Sequence, residues 1–240
     1  MLQLVAVLFF CLSMALNGQG AAKGPSSDAV LKAYGTVPMV FETNQGQVAA
    51  DVKFVTRSKD YAVLFKETGV ALVAPAGIEL GIRFSGERTP HEIEGVKPLK
   101  ATVSYFLGSD ASSWVRGIPA VGQILYKQVY RGVDARFSAD NGRLELRLEA
   151  SAGVDLSPIR LSLEGARNLT VDRSGELFVE AGQGRIRFGK PNSYQDIAGN
   201  RRVVETNYIA NENQLGFTIG AHEPGVPVIL VMPLDIGLPR

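Results

Sequence analysis

Two carboxylates, Asp134 and Glu149, have the spacing that acid–base chemistry would need, provided the chain between them folds back on itself. A two-residue turn at Asn141-Gly142 does this, because Asn-Gly supplies the two positive-φ residues of a type I′ hairpin. Counting outward from that turn, Asp134 faces Glu149 and Arg136 faces Arg147. Facing carboxylates could serve as acid and base in a glycoside hydrolase-like enzyme, or hold a divalent cation. The same residues also make a self-compensating lattice, since like charges directly opposite are matched by unlike charges on the diagonals. Such lattices are common on solvated sheet faces and contribute little stability. The lattice is the simpler reading, so no catalytic residue is assigned, and Asp134 and Glu149 remain the pair to examine.

Other chemistry-bearing residues are scattered. His91 sits among Pro90, Glu92 and Glu94, and His222 lies in a Gly/Pro-rich turn, neither at metal-ligand spacing nor beside a nucleophile motif. Nucleophile-elbow, zincin, Walker and dinucleotide-binding motifs are missing from the chain. Gly189-Lys190 is followed by Pro191-Asn192, where a phosphate loop needs a hydroxyl and a helix, and Asp140-Asn141-Gly142 lacks the further acids of a calcium loop. No cofactor and no metal are expected. Asn168-Leu169-Thr170 matches a glycosylation sequon, which matters only in a eukaryotic secretory route. Trp114, Tyr126, Tyr130, Tyr194 and Tyr208 could form a sugar platform, although such residues more often fill or rim a β core.

The elements that must position these residues are strands. In the hairpin around Asn141-Gly142 the pairs Ala139/Leu144, Phe137/Leu146, Ala135/Leu148 and Val133/Ala150 are apolar, and the intervening pairs are polar. One-sided burial of an antiparallel ladder requires this alternation, and a three-residue loop would scramble it. Val52–Thr56 reads as a strand, Tyr61–Lys66 and Val70–Ala74 as a hairpin, and Ile78–Phe84 has a period of two. Glu87–Lys100, polar with two prolines, reads as a loop before a strand at Thr102–Leu107. Ser109-Asp110 opens a helical turn carrying Trp114, ended before Gly117 and Pro119, and Ile124–Tyr130 leads into the hairpin. Further strands are expected at Ile159–Leu163, Leu169–Val171, Leu177–Val179, Arg185–Phe188, Val203–Ile209, Leu215–Ile219 and Val226–Met232. The fold class is therefore all-β, an antiparallel β-sandwich or open barrel of many short strands with one or two short helical turns.

Composition agrees. The chain has 240 residues, 45% hydrophobic and 20% charged, an ordinary globular profile large enough for a core that needs no staples. Its 25 basic and 24 acidic residues give a net charge of +1, which disfavours nucleic acid as a partner. Leu4–Leu16 is uncharged and apolar, too short to span a bilayer and suited to a signal-peptide core. Small residues follow, with cleavage expected after Gly20 or Ala22, although Met1-Leu2-Gln3 carries no basic side chain. The one cysteine, Cys11, lies in that run after bulky residues unsuited to lipidation, so cleavage would leave no thiol and no membrane span. The expected organisation is a signal peptide at 1–22, linker and short helix at 23–37, one β-rich domain at 38–233 that could divide into two sub-sheets, and a tail at 234–240.

Three segments carry a family resemblance: Phe41-Glu42-Thr43-Asn44-Gln45-Gly46-Gln47; Tyr126 with Val129-Tyr130-Arg131-Gly132-Val133-Asp134; and Lys190-Pro191 with Tyr194-Gln195-Asp196. Supporting pieces are Val103–Gly108 with Trp114, and Gly216-Phe217 with Ile219-Gly220. Across Pro38 to Pro233 the chain resembles the N-terminal domain of unknown function that precedes SBBP-type β-propeller repeats in large exported bacterial proteins. That resemblance implies an exported β-rich module and carries no catalytic residues with it. The propeller part does not follow Val226–Pro233 here, so the expectation is a module that works alone or a truncated relative. Asn44, Gln45, Tyr130, Arg131 and Tyr194 are the candidate binding residues, read against a simpler role in turns. Asn44-Gln45-Gly46 would then be a turn whose amides satisfy neighbouring backbone, and Tyr130-Arg131-Gly132 the bend into the hairpin.

The expected function is a non-enzymatic, exported module for binding or assembly, periplasmic or extracellular. Its expected partner is a β-propeller or other envelope protein, or a polysaccharide. The alternatives are a carbohydrate-binding module and a hydrolase using Asp134 and Glu149.

Overall fold

The computed structural model describes residues 39–58, 61–75, 77–85, 92–106, 109–110, 112, 114–140 and 142–235. The leader at Leu4–Leu16, the helix expected at Ala29–Tyr34, His91 and Asn141 lie outside the described residues.

Within them the chain is almost entirely strand. The first half holds β1 (Phe41–Thr43), β2 (Val52–Arg57), β3 (Ala62–Lys66), β4 (Gly69–Ala74), β5 (Ile78–Phe84), β6 (Glu92–Tyr105), β7 (Val115–Tyr130), β8 (Val133–Asp140) and β9 (Arg143–Ala150). The second holds β10 (Leu161–Glu164), β11 (Ala166–Val171), β12 (Leu177–Ala181), β13 (Gly184–Phe188), β14 (Asn192–Ile197), β15 (Asn200–Val204), β16 (Thr206–Asn211), β17 (Gln214–Ile219) and β18 (Val228–Asp235). Antiparallel ladders lead from β16 through β17, β10, β5, β4, β3, β2 and β1 to β7. They continue through β8, β9, β18, β13 and β12 to β11. The two ends of this path, β11 and β16, approach one another without a ladder, so the sheet is a barrel that nearly closes. β14 and β15 branch from β18.

β7 is the other branch point. Val121 pairs with both Pro98 of β6 and Phe41 of β1, while Gln123 pairs with both Val96 of β6 and Ser138 of β8. β6 therefore follows one edge of β7, and β1 and β8 share the other. Beyond β1, Val115–Pro119 pair only with β6 among the described residues, and a two-stranded ribbon leaves the barrel there.

The core follows from alternation. β5 buries Ile78, Leu80, Ile82 and Phe84 and turns Glu79 and Arg83 outward. The β8–β9 hairpin has the expected register, from Asp140↔Arg143 to Val133↔Ala150. Its Val133, Ala135, Phe137, Leu144, Leu146 and Leu148 are buried in one large cluster. Each such aliphatic side chain contributes about 2 kcal/mol by leaving water. Phe41, Phe65, Phe137 and Tyr126 stack edge-on through the centre of the cluster.

Several expectations are corrected. Of the loop expected at Glu87–Lys100, the part from Glu92 onward is strand β6, and residues 87–91 lie outside the described residues. This strand is exposed along most of its length, so it lacks the apolar alternation that marks a strand. Its proline is accommodated where the ladder slips between Pro98 and Thr102, beside Lys97 at φ 59. The helical turn expected after Ser109-Asp110 is present as a 3-10 turn at Ser112, capped by Asp110, while β7 starts directly after Trp114, at Val115, and runs through Gly117 and Pro119. β14 was not anticipated because its inward residues, Ser193 and Gln195, are polar. The strand expected at Val203–Ile209 is divided at Glu205, because the chain before it pairs with β14 as β15 and the chain after it pairs with β17 as β16.

Candidate functional site

The lead into the hairpin is where the strands stop being regular. The β7–β8 ladder slips between Tyr126 and Tyr130, and Gln128 sits there at φ 49. A left-handed backbone costs a non-glycine residue about 1 kcal/mol, so something must hold it. Asp134 does: its Oδ1 accepts the Gln128 N–H at 2.8 Å, and the Gln128 side-chain Oε1 accepts the Gly132 N–H at 3.1 Å. Gly132 is at φ 75, and a Cβ there would lie 2.7 Å from Val154 Cγ2. Its carbonyl accepts the Ser151 N–H at 2.9 Å. Tyr130 turns inward and donates its hydroxyl to the Arg160 carbonyl. Burial pushes the Tyr130 phenol up to about 12.

These contacts set the wall of a cleft of about 750 Å³ between the β7–β8 turn and the segment that follows β9. Val129, Val133, Val154, Pro158 and Ile159 line it, with Val129, Val133 and Ile159 buried. Arg131 stands exposed on its rim and makes no ion pair among the described residues. Asp155, also on the rim, has its carboxylate held below the ordinary range by hydrogen bonds from the Ser157 side chain and backbone. Ser85, Gln128 and Tyr130 add polar groups to the lining, and an apolar floor with placed polar groups around it is the usual make-up of a binding cleft. A second groove, of about 400 Å³, has Gly69, Gly81 and Gly165 in its walls. Its cations are already paired, Lys66 with Asp51 at 2.8 Å and Arg83 with Glu164 at 2.5 Å. The cleft beside Arg131 is therefore the stronger candidate.

The other candidate residues do not converge on it. Glu149 holds Arg136 through two hydrogen bonds of 2.7 and 2.9 Å, while Arg147 pairs with Glu145 at 3.0 Å. The Glu149 bonds hold the Arg136 guanidinium above its ordinary value. These side chains are half-buried beside Ile229, Val231 and Pro233 of β18, not fully solvated. Asn44 is a turn residue: its Nδ2 donates to the carbonyls of Ala49 and Val52 at 2.8 Å each, and its Oδ1 accepts the Gly46 N–H at 3.0 Å. Gln45 is exposed on the same turn, its N–H bound by the Gln47 side chain at 2.6 Å. Tyr194 is buried under the Arg201 guanidinium, 3.7 Å from its ring centre. Its neighbour Gln195 is fully buried and braces the turn that leads into β18, donating to Glu223 and Val226 carbonyls and accepting the Glu223 N–H, each at 2.8 Å. Of the proposed sugar platform, Tyr126, Tyr194 and Tyr208 are buried, so these aromatics form no exposed strip together.

One cluster had no signal in the sequence. Glu42, 5% exposed, accepts hydrogen bonds from Arg57 at 2.9 Å and from the Tyr105 hydroxyl at 2.6 Å. Arg57 also meets the Tyr105 oxygen and lies over its ring. Burial, and the carboxylate it donates to, push the Tyr105 phenol well above its ordinary value. The three residues lie on β1, β2 and β6, so only the packing of the ribbon on β1 and β2 brings them together. No group of three or more metal-ligating side chains occurs among the described residues, and no helix there is long and apolar enough to cross a membrane.

No curated protein and no solved structure matches the chain. A family model described as a domain of unknown function (DUF7948) matches residues 41–230, from β1 into β18 and across the whole cleft, and the chain belongs to that family.

Proposed function

We propose that the chain is an exported, non-enzymatic binding module. In this reading the cleft at the β7–β8 turn seats an acidic–apolar segment of a partner protein at the cell envelope or outside it. The observation that carries this reading is Arg131, an exposed guanidinium with no ion pair among the described residues, at the edge of a cleft with an apolar floor. A partner carboxylate would supply the missing charge, and an adjoining apolar side chain would fill the floor. The tempting carboxylates support a non-catalytic role, since Asp134 holds the Gln128 bulge, Glu149 holds Arg136, and Glu42 holds Arg57 and Tyr105. The apolar run at Leu4–Leu16, followed by small residues, supports export. Resemblance to the module ahead of SBBP-type propellers favours a propeller protein as the partner class.

Synthetic peptides pairing one Glu with two neighbouring Leu, titrated by fluorescence anisotropy, test the cleft. Wild type is expected to prefer them to Gln-containing counterparts, and Arg131→Ala to weaken binding about tenfold, the value of one charge-assisted hydrogen bond. Equal binding by Arg131→Ala, or no preference for Glu over Gln, would overturn the reading.

A further inference from the structure

The cleft beside Arg131 carries a second charge, of opposite sign. Asp155 is exposed on its rim, as Arg131 is, and both side chains line the opening. Neither makes an ion pair among the described residues, so the cation and the anion do not neutralise one another. They flank a tight contact between their neighbours. A Cβ on Gly132, the residue after Arg131, would lie 2.7 Å from Val154, the residue before Asp155. The β7–β8 turn thus brings the cation to the opening, and the segment after β9 brings the anion.

Asp155 is held in place and kept charged. Its Oδ1 accepts the Ser157 N–H at 2.8 Å, and its Oδ2 accepts the Ser157 hydroxyl at 2.6 Å. An ionised carboxylate has about four acceptor sites, so these two bonds orient the group and leave sites for a ligand. The same bonds, with the nearby His222 adding to them, hold the carboxyl below its ordinary range. The segment that carries it is anchored as well. Ser151 donates its N–H to the Gly132 carbonyl at 2.9 Å, and turns close from Val154 to Ser151 and from Ile159 to Leu156 at 3.1 Å each. Leu156 and Ile159 are buried in the core beneath it.

We infer that the cleft selects a protein segment of mixed charge, in which the acidic residue taken by Arg131 is accompanied by a basic residue taken by Asp155, with apolar side chains over Val129, Val133 and Ile159. Charge complementarity argues for this occupant. A purely acidic segment would bring like charge to Asp155, and a purely basic one would bring it to Arg131. Asp155 is then the residue that sets specificity, and Ser157 positions it. The inference rests on the proposed role of Arg131 and names the partner chemistry more closely.

End-blocked peptides with Glu and Lys separated by one, two or three Leu, made in both orders, test this on the full chain by fluorescence anisotropy. Counterparts carry Gln for Lys, or Gln for both charges. In the favoured order and spacing, the Glu–Lys peptide is expected to bind about fivefold tighter than its Glu–Gln counterpart, as for one exposed ion pair. Asp155→Asn can still accept the Ser157 N–H, and is expected to erase that gain while keeping the preference for Glu over Gln. Asp155→Lys is expected to reverse the choice, taking a Glu–Glu peptide over Glu–Lys, a gain that an unfolded variant cannot show. No gain from Lys in any order or spacing would overturn the inference, as would a gain that survives Asp155→Asn. In both cases an intact preference for Glu over Gln leaves the role of Arg131 standing. Loss of the Glu preference itself would overturn both.

Discussion

Gly132 and Tyr130 show how tightly single residues hold the β7–β8 turn. A methyl group at Gly132 would meet Val154 at 2.7 Å in a backbone conformation that already disfavours side chains. Gly132→Ala is therefore expected to cost about 2 kcal/mol in urea unfolding. Tyr130 titrates in the folded protein at about 12 against 10.0 for an ordinary phenol. The folded state holds that proton more tightly, so the contribution of Tyr130 is whole below pH 10 and is lost as pH rises toward 12. The loss amounts to about 2 kcal/mol, and Tyr130→Phe should flatten the pH dependence of urea unfolding over that range. The turn roles of Asn44 and Gly132 were legible in the sequence, because Asn side chains cap their own neighbourhood and glycine tolerates positive φ. That Arg131 would make no ion pair among the described residues was not legible, since it depends on what the segment after β9 places beside it.

Among the elements, β8–β9 and β6 mark the two extremes of legibility. The hairpin buries one face, so a one-residue slip would expose every leucine of β9, and pattern alone dictates the register. β6 is an edge strand whose two faces are both largely exposed, so its residues obey no burial pattern. It is held instead by β7 and, near its end, by Glu42 and Arg57. Arg57→Ala would leave the buried Glu42 carboxylate without its cation, at a cost of about 3 kcal/mol. The expected signature is faster hydrogen exchange at Val103–Tyr105, with β8 and β9 amides unchanged. Equal acceleration in the hairpin would mean that the cluster supports the barrel as a whole.

At the scale of the whole molecule, one cluster runs from Phe41 on β1 to Leu234 on β18 and ties the two halves of the chain together. Leu146→Ala, at the middle of that cluster, is expected to cost about 3 kcal/mol and to shift one cooperative transition followed by circular dichroism. Two separated transitions would mean that the sheet unfolds in parts. The sequence by itself determined the all-β class, the two-residue turn and the face that each residue of β8 and β9 presents. Alternation and turn chemistry act over a few neighbouring residues and are written where they act. Only the tertiary structure decided that Glu42, Arg57 and Tyr105 meet, that Asp134 braces a bulge, and that Arg131 borders an apolar cleft. Those outcomes arise where strands and turns from separate parts of the chain are brought side by side. Closing the sheet toward a barrel creates them, and a local pattern of residue types carries no record of which distant strand will become a neighbour.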